Sequence, residues 1–259
     1  PAAGPAKPAA ADWRTPDPQN VLVIDTNKGR ILVELTPELA PNHVERLRTL
    51  TRQGLYNGRK FFRVIENFMV QTGDPQDSGE GGSTLPDLAA EFSFRRGPAD
   101  MVVIAEDAVS QTGFVGPVPV KSQSAMLMPV TVDGKVSAYG LYCPGVGGMA
   151  RAGDPNSANS QFFLMRDRYP SLEQRYTVFG RVISGLDVVR AIKVGEPVAP
   201  PQDEMQQVRV LADIPDKERP KVRVVDPKSA WLKGEVERLK ALNGVGFNAC
   251  DIELPAEVK

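Results

Sequence analysis

Short runs of β-branched and aromatic residues, separated by turn residues, dominate the chain from residue 21 onward. The first two runs, 21–24 and 31–35, flank Asn27-Lys28-Gly29 and predict a hairpin, because glycine accommodates a tight turn. Similar runs follow at 61–65, 68–72, 101–105, 125–132, 161–165, 177–182, 208–211 and 222–225. Many short strands with turn-rich connections are typical of a β-barrel or a β-sandwich.

Two stretches within this β-rich pattern have helical periodicity instead. The first begins at Pro41, since proline is favoured in the first turn of a helix, and we expect it to end at Gly54. Its apolar residues Val44, Leu47 and Leu50 recur at helical spacing. A second, shorter helix fits residues 186–192. The pattern therefore predicts a mainly β fold with few helices.

The two ends of the chain differ from this pattern and from each other. Residues 1–8 are only Pro, Ala, Gly and Lys, which cannot form a core, and we expect residues 1–19 to be a flexible N-terminal tether. Near the other end, Ser229 can cap a helix with an apolar stripe from Leu232 to Leu242. A stripe of this kind indicates that the C-terminal region packs on the rest of the protein.

Composition narrows the possible functions. The 31 Lys and Arg residues balance 32 Asp and Glu residues, so the formal net charge is -1 and we expect no nucleic-acid partner. No apolar run is long enough to span a bilayer. The single histidine, His43, and the two cysteines cannot form a metal site of several His or Cys ligands. We expect no metal, and we expect His43 to be a solvated residue in the first turn of its helix.

The start of the chain and its cysteines bear on the compartment. Alanine- and proline-rich sequences often follow a removed signal peptide, and cysteines suit an oxidising compartment. We therefore expect a periplasmic or secreted protein, with a cytoplasmic location as the alternative.

Two segments, 61–75 and 149–163, combine apolar residues with a few strong hydrogen-bond donors. Arg63 and Gln71 lie in the first segment, and Gln161 lies in the second. A surface that holds Arg, Gln, Phe and Met together is typical of a peptide-binding groove. The alternative is that Arg63 and Gln71 are ordinary exposed strand residues. The residues alone leave these two interpretations equal, because a turn separates Arg63 from Gln71 and their spacing does not show whether they share a face.

A family resemblance distinguishes between the two interpretations. The sequence FFRVIENFMVQTGD at 61–74 resembles the Phe-x-Arg-x-Ile-x-x-Phe-Met-x-Gln-x-Gly-Asp signature of cyclophilin-type peptidyl-prolyl cis-trans isomerases. The sequence MARAGDPNSANSQFF at 149–163 resembles the family's second signature. A third match, YTVFGRVISGLDVV at 176–189, resembles its closing strand and helix. Because three long motifs match in the family's order, we do not attribute the resemblance to chance.

The resemblance implies a fold and an activity. The fold would be a closed eight-stranded antiparallel β-barrel capped by two helices over residues 20–195, with a C-terminal extension, 196–259, packed on it. The activity would be cis-trans isomerisation of X-Pro bonds in proline-containing peptides and unfolded proteins, which assists folding and needs no cofactor. Cyclosporin-like ligands are a family trait, and we expect a monomer. The alternative is a non-catalytic module on the same barrel that binds proline peptides as a chaperone.

The resemblance also assigns site residues by position. Arg63 and Gln71 correspond to the family's catalytic residues, with Arg63 as the donor that stabilises the twisted amide. The corresponding substrate-binding residues are Phe68, Met69, Gly79, Ala150, Arg151, Ala152, Gln161, Phe163, Leu172 and Tyr176.

This chain departs from the family pattern at the pocket wall. Arg151 replaces a frequent Asn, Tyr176 replaces a common His, and Ser171 replaces a frequent aromatic residue. A charge is thereby added to the groove and an aromatic ring is lost, so pocket breadth and rate could differ from those of relatives.

A longer departure is an insertion at about 98–145, where the family has a short connection. Its strand-like runs predict an ordered hairpin region, which either extends the substrate surface or packs away from it. Cys143 ends the insertion and Cys250 lies in the C-terminal extension. A disulfide between them and two unpaired thiols are both compatible with the sequence.

Overall fold

The computed structural model describes residues 4–259, and its strands form three antiparallel sheets. In chain order the strands are β1 (Trp13–Arg14), β2 (Val21–Thr26), β3 (Gly29–Leu35), β4 (Arg59–Lys60), β5 (Arg63–Ile65), β6 (Met69–Thr72), β7 (Phe94–Arg96), β8 (Val102–Glu106), β9 (Ser110–Val115), β10 (Val118–Gln123), β11 (Val136–Gly140), β12 (Val146–Met149), β13 (Phe162–Met165), β14 (Val178–Ser184), β15 (Glu204–Val210), β16 (Val222–Val225) and β17 (Ala256–Val258). The helices are α1 (Pro41–Arg52), α2 (Leu186–Ala191) and α3 (Ala230–Asn243). None of the helices among these residues is long and apolar enough to cross a membrane.

The main sheet has nine strands in the order β4-β15-β2-β3-β14-β12-β13-β6-β5. It is a curled half-barrel, so the prediction of a closed eight-stranded barrel is wrong in strand number and in closure. Between the edge strands β4 and β5, which follow each other in the chain, residues 61 and 62 bond a loop instead of a strand. Phe61 N–H donates to Asp203 O, and Val198 N–H donates to Phe62 O.

Helix α1 fills the inside of the curled sheet, as its apolar stripe predicts. Val44, Leu47 and Leu50 are fully buried against strand residues such as Ile24 and Phe162. Each such side chain contributes about 1.5–3 kcal/mol when it leaves water. The helix begins at Pro41, as predicted.

The prediction of a solvated His43 is wrong. The His43 side chain is fully buried, and its Nδ1 lies 2.5 Å from Oε2 of Glu91. The same carboxylate accepts the backbone N–H groups of Asn42 and His43 and so caps the first turn of α1. Burial alone would raise the pKa of Glu91, but these hydrogen bonds outweigh it and lower the pKa below its usual range. The sequence pattern did not reveal this contact because Glu91 is 48 residues away.

The insertion forms consecutive hairpins from β8 to β11, and β7, which precedes the insertion, completes a five-stranded sheet in the order β7-β11-β10-β9-β8. Phe114, Val118 and Val120 from this sheet are buried in the same apolar cluster as Trp231 and Ile252 of the C-terminal region. The insertion and the C-terminal extension therefore share one core.

The C-terminal boundary predicted at residue 195 lies too early. Strand β15 pairs with β2, so the main sheet continues to Val210. The boundary was placed too early because β15 pairs with β2, and the local sequence pattern does not specify such a long-range contact. Beyond it, β16 lies between β1 and β17 in a three-stranded sheet, and Ser229 caps α3 as expected.

The predicted N-terminal tether contains ordered structure. Trp13 in β1 pairs with Val225 in β16, and Asp226 N–H donates to Asp12 O. The Arg223 guanidinium lies 4.4 Å from the centre of the Trp13 ring. A flexible tether through residue 19 therefore does not describe this part of the chain, because Trp13 has a partner that its own neighbours do not reveal. Residues 1–3 lie outside the described residues.

Cys143 and Cys250 form a disulfide with an S–S distance of 2.04 Å. This is one of the two alternatives that the sequence left open. The bond connects the end of the insertion to the C-terminal extension across a separation of 107 residues.

Candidate active site

A cavity of about 220 Å³ lies on the outer face of the curled sheet. Its lining residues are Arg63, Phe68, Met69, Gln71, Ala150, Arg151, Phe163, Leu172 and Tyr176. All nine are among the site residues predicted from the sequence. The three other predicted residues, Gly79, Ala152 and Gln161, lie outside this lining.

Paired strands carry one side of the cavity. Arg63 in β5 is directly opposite Gln71 in β6, and Gln71 is directly opposite Phe163 in β13. Directly paired residues in antiparallel strands point to the same face. The register therefore places Arg63, Gln71 and Phe163 in one row, which spacing along the sequence could not establish.

A chain of side-chain hydrogen bonds orients Arg63. Arg63 Nη1 donates to Gln71 Oε1 at 3.2 Å, and Gln71 Nε2 donates to Gln161 Oε1 at 3.0 Å. Gln161 Nε2 in turn donates to the Gly81 carbonyl at 2.8 Å. We call this sequence of contacts the amide relay. It connects the guanidinium to a backbone carbonyl and gives Gln161 a supporting role behind the cavity.

The loop that holds the Gly81 carbonyl is itself anchored by Asp74. The buried Asp74 carboxylate accepts backbone N–H groups from Gln76, Ser78, Gly79 and Gly81. Burial alone would raise the pKa of Asp74, but these hydrogen bonds outweigh it and lower the pKa.

Gly79 lies within this anchored loop, beside Phe62. Its φ of +89° favours glycine, and a Cβ at this position would lie 3.1 Å from the Phe62 ring. Its role in the structure is therefore to let the loop turn closely against that ring.

Loops carry the opposite side of the cavity. Tyr176 meets Phe163 edge-on with 6.0 Å between ring centres, and Leu172 lies in the short turn Pro170–Leu172. The Arg151 guanidinium lies 4.5 Å from the centre of the Tyr176 ring. Arg151 also donates twice to the Arg175 carbonyl, at 3.0 and 2.9 Å. Its charge is thus turned into the wall and braces Tyr176.

Sequence reasoning missed two aromatic contributors. Tyr169 lies 4.2 Å from Phe68 between ring centres, close to the exposed Ser171 where relatives often carry an aromatic residue. Tyr142 stacks behind Phe163 at 5.8 Å, and complete burial raises its pKa well above the usual value. The sequence feature that could have identified Tyr169 is its position, two residues before Ser171, where relatives often carry an aromatic residue.

Sequence reasoning also missed Glu196. Its Oε1 accepts a hydrogen bond from Arg63 Nε at 2.7 Å. No motif includes this residue, which lies 133 positions after Arg63.

The model of the cyclophilin type peptidyl-prolyl cis-trans isomerase/CLD family matches residues 21–212. This chain belongs to the cyclophilin family. A probable peptidyl-prolyl cis-trans isomerase of Brucella suis is 37% identical over 190 residues, which cover 69% of this chain and 74% of that protein. A peptidyl-prolyl cis-trans isomerase-like protein of Aspergillus fumigatus is 33% identical over 169 residues, which cover 65% of this chain and 79% of that protein.

Solved cyclophilin structures show how far the architecture is shared. The crystal structure of a cyclophilin from Hirschia baltica is 36% identical, has a TM-score of 0.87, and covers 95% of this chain and 93% of that chain. A cyclophilin of Cryptosporidium parvum, crystallised in the presence of the dipeptide Ala-Pro, is 20% identical with a TM-score of 0.51. The second match covers 73% of this chain and 98% of that one, and it shows the fold alone. The chain is a cyclophilin-type peptidyl-prolyl cis-trans isomerase.

Proposed function

We propose that this cyclophilin isomerises X-Pro bonds in peptides and unfolded proteins with Arg63 as its catalytic donor. The observation that carries the proposal is the row of Arg63, Gln71 and Phe163 across three paired strands. This row places an oriented guanidinium beside an apolar cavity of about 220 Å³.

The chemistry explains why a hydrogen-bond donor suffices. Rotation about the X-Pro bond is opposed by a barrier of about 18–20 kcal/mol, because the nitrogen lone pair is delocalised into the carbonyl. In the twisted amide the lone pair returns to nitrogen, which can then accept a hydrogen bond. Arginine is always charged and has five donors in a fixed fork. No covalent bond breaks, so the reaction needs no nucleophile.

The apolar residues would hold the proline ring while the preceding carbonyl turns. Met69 and Phe163 are buried and form the floor, and Phe68 and Leu172 close the sides. Because these side chains bind the ring alike in both isomers, they fix the substrate and leave the rotation to the other half of the amide. The discrimination between ground state and transition state then depends on Arg63.

The backbone at Arg151 would bind the substrate chain. Ala150 N–H donates to Gln161 O, and Ala152 N–H donates to Ser157 Oγ, so both neighbours of Arg151 are fixed to the protein. We assign the backbone of Arg151 to pairing with an extended substrate. This assignment makes the Asn-to-Arg departure tolerable, since the side chain is turned into the wall.

The energetic demand on the site is modest. Uncatalysed exchange takes tens to hundreds of seconds. A thousandfold acceleration needs about 4 kcal/mol of transition-state stabilisation. A charge-assisted hydrogen bond in a site partly shielded from water, together with the fixed orientation of the substrate, is able to supply that amount.

The proposal also specifies the substrates and the compartment. The Ala-Pro dipeptide used with the Cryptosporidium parvum cyclophilin supports proline-containing peptides as ligands of the fold. The disulfide between Cys143 and Cys250 suits an oxidising compartment, which supports a periplasmic or secreted role in folding. Unfolded chains in such a compartment are the substrates that we propose.

The decisive experiment is a cis-trans exchange measurement on a proline tetrapeptide by NMR. We expect the natural protein to accelerate exchange and Arg63→Ala to reduce kcat/KM by about a hundredfold or more, as losses of a single transition-state donor do. Arg52→Ala, which removes an exposed guanidinium paired with Asp213 away from the cavity, should retain full activity. If the natural protein does not accelerate exchange but still binds the peptide, the non-catalytic alternative replaces this proposal.

A further inference from the structure

The guanidinium of Arg63 has a second partner outside the amide relay. Arg63 Nε donates to Glu196 Oε1 at 2.7 Å, while Nη1 donates to Gln71 Oε1 at 3.2 Å. The two acceptors belong to different parts of the chain: Gln71 lies in β6, and Glu196 lies in the loop between α2 and β15. We infer that Glu196 is a positioning residue for Arg63, an inference that rests on the proposed function.

The backbone that carries Glu196 is fixed along β5. Gly195 N–H donates to Val64 O at 2.9 Å, and Val64 N–H donates to Gly195 O at 2.8 Å. Two residues further on, Val198 N–H donates to Phe62 O at 2.9 Å. The loop therefore runs antiparallel to β5 at an isolated bridge between Val64 and Gly195, with Glu196 next to Arg63.

Packing and polar contacts brace the rest of this loop. Val198 is buried in the same apolar cluster as Val64. Lys193 Nζ donates to Ala199 O at 2.7 Å, and Lys193 N–H donates to an Asp203 carboxylate oxygen at 2.8 Å. The carboxylate of Glu196 thus projects from a backbone that is held on both sides.

The ion pair between Arg63 and Glu196 is exposed, so it contributes little to the stability of the fold. The side chains of Arg63 and Glu196 are 38% and 56% exposed, and pairs of this kind contribute little to the free energy of folding. Their effect on geometry is different. A guanidinium is planar, so two acceptors on Nε and Nη1 set both its position and its plane. The guanidinium has five N–H donors, so these two contacts leave others for a substrate in the cavity that Arg63 lines.

A donor that is oriented before the substrate arrives acts mainly on kcat. Without Glu196, Arg63 would be held on one side only and would have to find the productive orientation in each turnover. In the proposed function the proline ring is bound by Phe68, Met69 and Phe163, which line the cavity, whereas Glu196 is not part of its lining. The loss should therefore appear in kcat, while KM stays near its natural value.

The test compares two substitutions of Glu196 with a matched control. We expect Glu196→Ala to lower kcat about tenfold, equivalent to about 1.4 kcal/mol, and to leave KM within about twofold. Glu196→Gln keeps an acceptor oxygen and should retain kcat within about threefold. Asp213→Ala, which breaks the similarly exposed pair with Arg52, should leave both constants unchanged.

A double substitution tests whether Glu196 acts through Arg63. In the Arg63→Ala background, Glu196→Ala should cause no further loss, because the group that it positions is gone. An independent readout is the NMR signal of the Arg63 Nε–H group, which should exchange with water faster in Glu196→Ala than in the natural protein.

The outcomes separate this inference from the proposed function. If the natural protein and Arg63→Ala do not differ, the catalytic role of Arg63 fails first. If they differ and Glu196→Ala keeps natural kcat, or exceeds it, only the role of Glu196 is overturned. An equal loss in both backgrounds, or a loss that follows a lowered Tm, would also overturn it.

Discussion

The two sides of the pocket are built differently. On one side, Arg63, Gln71 and Phe163 come from paired strands, and the register of those strands aligns them. On the other side, Arg151 and Tyr176 come from loops and are held by ring contacts and by hydrogen bonds to carbonyl groups. The family motif is kept on the strand side, whereas the substitutions relative to the family lie on the loop side. We therefore expect catalysis to depend on the strand side and the loop side to tolerate change.

Truncation of one aromatic residue on each side gives the largest expected contrast. Phe163 is buried between Tyr142 and Tyr176, so Phe163→Ala should destabilise the protein by about 3–5 kcal/mol. Tyr176 is partly exposed, and Tyr176→Ala should cost about 1 kcal/mol, the value of an aromatic pair. Denaturant-induced unfolding measures both values. Similar losses for the two variants would mean that the loop side is as much a part of the core as the strand side.

Interruption of the amide relay should have an intermediate effect. Gln71→Ala removes the acceptor of Arg63 Nη1, and we expect kcat to fall about tenfold with little change in stability. Gln161→Ala removes the next member of the relay and should have a smaller effect, because Gln71 itself remains in place. Steady-state isomerisation kinetics provide the measurement. A larger loss for Gln161→Ala than for Gln71→Ala would contradict the order of the relay.

The smallest effect is expected from Arg151 on the loop side. Its guanidinium donates to the carbonyls of Arg175 and Ala152, so we expect it to brace the wall instead of acting on the reacting amide. Arg151→Ala should raise KM by about two- to threefold and leave kcat unchanged. A fall in kcat comparable to that of Gln71→Ala would place the arginine side chain in the catalytic machinery and remove the distinction between the two sides.

The contrast between the two sides also explains how much the sequence could predict. Motif residues on paired strands converge because the ladder fixes their faces. The resemblance assigned Arg63, Gln71 and Phe163 to the site, and the register places them in one row. Helix α1 was predicted correctly because its periodicity is local. In each of these cases the information lies within a few neighbouring residues.

Long-range contacts account for what the sequence could not show. The contacts of Glu91 with His43 and of Glu196 with Arg63 join residues that are far apart in the chain, and neither glutamate lies in a motif. The same holds for β1 on β16 and for β15 on β2, which changed the predicted limits of the tether and the barrel. Tyr169 was missed for another reason: it lies outside the motifs, and only its ring contact with Phe68 connects it to the pocket.

The disulfide has a mechanical consequence for the pocket. Cys143 and Cys250 close a covalent ring that spans 107 residues, and the ring contains β13, the loop wall and Glu196. Arg63 and Gln71 lie outside it. Tension applied between the chain ends would pass directly from one cysteine to the other, so roughly 360 Å of extended chain would carry no load. The half of the pocket inside the ring is thereby shielded from pulling, while the strands that carry Arg63 and Gln71 are not.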